Sequence, residues 1–219
     1  MRTKHCFVMT LGMLAFGSVW AVGLTNLVPG KSPSGVKAAD VDSFLQGAHQ
    51  ATALVQTSAS NLALAVASKE DQAKIQALID ANKKAESAQE KESTARELLA
   101  TNQAILKKTD FENGEEVKAA SKDETRKKAI ANSGYDLALG LLKDKLVADQ
   151  GKDLVSKVGS DMTLASKLGS IKDAVAATSD QMSGLGSVSM NLPKLFAKIG
   201  VDAKLPTSAS DPPKETASF

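Results

Sequence analysis

Cysteine occurs once, at position 6, tryptophan once, at position 20, and histidine twice, at positions 5 and 49. A small exported fold stapled by disulfides is therefore excluded. So is a zinc site built from cysteines or clustered histidines. Aromatic residues make up only 4% of the chain. A composition rich in Ala, Leu, Lys, Asp and Ser with so few aromatics favours helix over sheet. An excess of charge of one sign is missing too. Basic side chains number 27 against 25 acidic ones, and Arg2 and Lys4 account for the difference. The remainder is neutral and a poor prospect for electrostatic nucleic-acid binding.

What is present begins with an export pattern. Arg2 and Lys4 precede a stretch from Cys6 to Gly30 that holds no charged residue. Its apolar part ends in Val19-Trp20-Ala21, a small-residue cleavage pattern, so residues 1–21 read as a signal peptide cut after Ala21. The rival reading is an uncleaved anchor extending to about residue 28, a span of about 20 residues that would suffice to cross a bilayer. Either way the body is exported, to the periplasm or cell envelope. Cys6 lies before most of the apolar stretch, where a lipid-anchored export signal would need it after, and cleavage would remove it.

Residues 22–38 read as a flexible, turn-rich linker. Its Gly30-Lys31-Ser32 looks like the end of a phosphate-binding loop, but Thr25 stands where that loop needs its first glycine, and no helix follows directly. From Val41, steps of three and four meet Phe44, Ala48, Ala51, Val55, Ser58, Leu62 and Ala65. That is the seam of an amphipathic helix over about 39–67, with small residues that let another backbone approach closely. Ser68-Lys69-Glu70-Asp71 has the look of a capping box that restarts the chain as helix. The 69–108 segment is thinly apolar in its middle, and Ser87 with Glu90 forms a second cap, which predicts a break near Ser87 in place of one helix some 60 Å long.

A connector is expected over 109–120, around Asn113-Gly114, followed by a helix over about 122–148 started by the capping box Ser121–Glu124 and ended at Gly151. The next helical stretch runs from Leu154 to Leu185 and is weakened at Gly159 and Gly169 by roughly 1 kcal/mol each. It is expected to end at Ser183–Ser187. Asn191 then caps a short terminal helix with Pro193 near its start, and Gly200 stops it. Residues 201–219 read as a disordered polar tail.

The candidate chemistry is thin. His49 falls just off the seam and reads as a surface histidine without a second ligand or an orienting partner nearby. The acidic pairs Glu115-Glu116 and Asp123-Glu124 sit in wet, charged stretches. Only Glu92 and Asn102 interrupt an apolar stripe, as bends or register devices. Arg126-Lys127-Lys128 reads as a solvated face without interleaved aromatics for base stacking. No Gly-x-Ser-x-Gly elbow occurs, and the Glu-x-x-His pairs of carboxylate-bridged metal bundles are absent. The one face singled out is Leu192, Leu195, Phe196 and Ile199, with Met162, Met182 and Met190 nearby. It reads as the inner face of a closing helix, or as an apolar surface for a partner helix or ligand.

The expected fold is all-α: an elongated antiparallel bundle of four to five helices over 39–200, behind a signal peptide and ahead of a disordered tail. The expected role is non-enzymatic, without cofactor or metal: an exported helical protein acting by protein–protein binding, with an envelope protein or a second copy of the chain as partner. The alternative is a binder or carrier of an apolar ligand or lipid. Nucleic acid is not an expected partner, and membrane contact would come through the N-terminal segment if it stays uncleaved.

Overall fold

A computed structural model describes residues 35–158 and 164–215, and the signal and most of the linker read from the sequence lie outside them. All regular structure among the described residues is helical: α1 (Ala38–Val66), α2 (Lys69–Lys84), α3 (Ala88–Lys108), α4 (Glu115–Ala120), α5 (Glu124–Val158) and α6 (Leu168–Ile199), the last preceded by a single 3₁₀ turn. Six helices stand where four or five were expected.

The α1 seam is buried at all eight positions from Val41 to Ala65, Ser58 included. Ser58 meets the demand of burial locally, donating its hydroxyl to the Leu54 carbonyl at 2.6 Å. Asp40 accepts from the Lys37 N–H at 2.9 Å and so secures the start of the helix. Ser68 caps α2 through the Asp71 N–H at 3.2 Å. The break between α2 and α3 falls where the second cap places it: Glu90 N–H reaches Ser87 Oγ, and the Glu90 carboxylate accepts from Ser87 N–H in return.

Several boundaries differ from the sequence reading. The connector carries the short helix α4. Ser121 ends α4, and it is Asp123 that caps α5, accepting from the N–H groups of Thr125 (2.9 Å) and Arg126 (3.1 Å). Helix α5 does not stop at Gly151 but passes through it to Val158. There a methyl group on Gly151 would stand 2.2 Å from Val175 and 2.9 Å from Phe44, so the glycine serves close packing and not termination. Gly159 and Met162 lie outside the described residues.

Helix α6 likewise runs unbroken through Ser183–Ser187 and past Asn191, which is an interior residue donating to the Ser187 carbonyl at 2.9 Å. Gly184 sits against the Gln103 side chain. Pro193 lies inside α6, where its missing N–H costs about 3 kcal/mol. Burial of Leu192, Leu195, Phe196 and Ile199 around it, at about 1.5–3 kcal/mol each, outweighs that cost. Gly200, at φ 73°, takes the left-handed turn that ends the helix.

Helix α5 is the spine, in contact with α1 on one side and α6 on another. Its glycines set the register. Gly140 faces Val55, Gly151 faces Phe44 and Val175, and Gly134 faces Leu192 and Phe196, so α5 runs antiparallel to both neighbours. A methyl on Gly140 would lie 2.6 Å from Val55 Cγ2 and 3.2 Å from its backbone nitrogen, whereas one on Gly186 would meet nothing within 4 Å. Opposite effects follow. Gly140→Ala is expected to destabilise by about 1–2 kcal/mol because the α1 backbone must retreat, and Gly186→Ala to stabilise by up to about 1 kcal/mol through helix propensity alone. Urea unfolding of the two variants checks both signs.

As far as Glu215 the segment expected to be disordered is instead a strap, and residues 216–219 lie outside the described ones. From Val201 to Glu215 the chain is non-helical, and Val201, Ala203 and Leu205 pack on the core. Asp211 shapes it, its carboxylate accepting from Thr207 N–H (2.9 Å) and Ser208 N–H (3.2 Å).

Candidate functional site: the polar stripe of α5

Asn132, Asp136, Leu139 and Lys143 are spaced i, i+4, i+7, i+11 and form one stripe along α5. The strap is held along this stripe, running against the direction of the helix. Lys143 Nζ donates to the Ala209 carbonyl at 2.6 Å, Asp136 Oδ1 accepts from Lys214 N–H at 2.7 Å, and Asn132 Nδ2 donates to the Glu215 carbonyl. All three partners are main-chain atoms. Leu139, between the polar anchors, is completely buried. One strap side chain joins in: the Lys214 ammonium stands 4.9 Å from the centre of the Tyr135 ring, a cation–π contact.

Burial sets the electrostatics of the stripe. It pushes the Asp136 carboxyl up to about 6, against the opposing pull of the Lys214 N–H and ammonium. It lowers the Lys143 ammonium, which Asp211 partly restores, and raises the Tyr135 hydroxyl.

One residue beyond Lys143, Asp144 turns into the protein. It is fully buried, neither carboxylate oxygen has a hydrogen-bond partner, and burial alone pushes it up to about 8. Its position is telling. One apolar cluster holds Val55, Leu137 and Leu185; a second holds Ala51, Val147 and Ile171. Asp144 falls between them on α5. Gln181 and Thr178 fall between them on α6, both buried, with Gln181 Oε1 also lacking a partner. A thin polar layer thus divides the core.

The residues singled out from the sequence go elsewhere. Leu192, Leu195, Phe196 and Ile199 are all buried in the larger cluster, so they are core and not an exposed partner or ligand face. Met190 is exposed, and Met182 is only half-buried. His49 is exposed on α1, as its register implied. Asn102 is buried and donates to Ser60 Oγ at 2.7 Å, linking α3 to α1, while Glu92 is on the surface paired with Arg96. In the basic run, Arg126 reaches the Ala65 carbonyl at 2.7 Å and closes the C-terminal end of α1. Among the described residues no group of three or more His, Cys, Asp or Glu comes together.

Sequence reasoning missed Asp136 and Asp144 because it took every carboxylate of this chain as wet. A signal was there for Asp144: its helical neighbours Gly140, Leu141, Val147 and Ala148 are all apolar or small. No protein-family model, no curated protein and no solved structure matches this chain.

Proposed function

We propose that this is an exported, non-enzymatic helical protein of the periplasm or cell envelope that acts by binding another protein, on an elongated antiparallel bundle whose spine is α5. The observation that carries the reading is the α5 stripe, a helix surface that holds a non-helical stretch of polypeptide through three side chains directed at its main chain. Export rests on the two basic residues and the uncharged run that opens the sequence. Among the described residues no helix is long and apolar enough to cross a membrane.

The carrier reading has less behind it. The apolar face it relied on is taken up by the core. The clefts beside the connector are about 220 and 270 Å³, below the usual range of pockets for drug-sized ligands.

Export is tested by N-terminal sequencing of the protein recovered from cell fractions, with Val22 expected as the first residue of the envelope form. Binding is tested by crosslinking that form in intact envelopes and identifying a reproducible, saturable partner. A full-length product confined to the cytoplasm, with Met1 or Arg2 first, sinks the reading.

A further inference from the structure

We propose that the α5 stripe is a peptide seat for a non-helical, turn-containing segment of a partner protein, and that the chain's own C-terminal strap occupies it in cis. This deepens the protein-binding reading and rests on it. Three features of the strap define what fits. Asn132, Asp136 and Lys143 engage only main-chain atoms, at Glu215, Lys214 and Ala209, the last within a turn closed by Asp211 N–H on the Ser208 carbonyl, so the seat reads backbone before it reads sequence. Between the Lys143 and Asp136 anchors the strap carries small residues and two prolines, Ser208-Ala209-Ser210-Asp211-Pro212-Pro213. Pro213 is followed by Lys214, whose ammonium rests on Tyr135, and Asp211 acts electrostatically on Lys143.

The partner segment is therefore a turn of small residues followed by prolines, like the strap's own Ser208–Pro213. It carries an acidic residue three positions before a basic one, and prolines lower the entropy lost on docking. The strap's own hold is of the kind that a competitor can displace. Beyond Leu205, the last of its side chains packed on the core, it hangs on three polar anchors and one ring contact, and its short tether gives that part an effective concentration on the order of 1 mM.

The probe is a fluorescently labelled synthetic peptide spanning Lys204 to Glu215, titrated by anisotropy against the full mature chain and against Lys214→Pro. That substitution removes the N–H that Asp136 accepts and the ammonium over Tyr135, leaving the seat intact. Amide hydrogen exchange over 207–215 reports whether the chain's own strap has let go. The expected result is loss of strap protection in Lys214→Pro, with peptide binding at least about tenfold tighter than to the unaltered chain. Adding Asp136→Ala in the Lys214→Pro background is expected to abolish that gain.

Three results overturn the proposal: a strap that stays protected in Lys214→Pro, a released strap whose vacated seat binds the peptide no better, or tight binding that survives Asp136→Ala. None of these bears on whether another surface binds a partner, which envelope crosslinking decides separately.

Discussion

Asp144→Asn is expected to flatten the protein's dependence of stability on pH and to raise its thermal midpoint by roughly 10 °C or more near pH 9. The cause is the polar layer in the core. In the unfolded chain an aspartate ionises near its usual value of about 3.8, but in the folded protein burial holds the Asp144 proton until about pH 8. Below pH 4 both states carry the proton and the residue imposes no ionisation penalty. Between about pH 4 and pH 8 the unfolded state releases it and the folded state does not, so stability falls as pH rises and levels off beyond 8. A displacement of about four pH units corresponds to a loss on the order of 5 kcal/mol. Asp136, held at about 6, adds a smaller fall in the same direction between about pH 4 and 6. Asparagine keeps the shape and cannot ionise. Near pH 4 the variant should therefore lie within about 2 kcal/mol of the unaltered protein, the cost of a buried amide. Thermal denaturation followed by circular dichroism at pH 4, 6 and 9 decides it, and parallel curves for the two proteins would remove Asp144 from the account.

Phe196→Ala is expected to cost about 3–5 kcal/mol, and Leu192→Ala about 2–5. Both side chains lie in the larger apolar cluster, Phe196 at 2% exposure and Leu192 at 0%. They close on Gly134, where an added methyl would stand 2.7 Å from the Phe196 ring. The fit is mutual: the missing side chain at Gly134 makes the room that the ring fills. Truncating the ring leaves a cavity beside a helix that already carries Pro193. Were this face exposed, as one reading of its sequence allows, the same substitution would change stability by no more than about 0.5 kcal/mol. Urea unfolding separates the two outcomes by a wide margin.

How much the sequence reveals depends on whether a signal is local. Periodicity located α1 with its full seam, since each of those positions faces inward for the same reason. Ser87 and Glu90 located the α2–α3 break, because a capping box is satisfied within four residues. Signals with two readings failed. Ser183–Ser187 carries the glycines of a helix end, yet Gly184 is there to admit Gln103 from α3, a fact of tertiary packing. Ser121 and Asp123 both suit a helix start, and the preceding α4, which ends at Ser121, leaves Asp123 as the cap of α5.

The α5 stripe was the least legible feature. Its one carboxylate, Asp136, is engaged by a residue 78 positions away, in a segment whose composition resembles a solvated tail. The stripe's polarity has a structural use only where the strap's main chain meets Asn132, Asp136 and Lys143.

The strap also fixes where the two ends of the folded body emerge. Val36 packs on the cluster that holds Leu154 and Val158, whereas Glu215 is pinned at Asn132, about 35 Å from those two residues along the α5 axis. A fluorophore pair attached just before Val36 and just after Glu215 would therefore report undocking as a change in energy transfer, with neither label touching the helices between.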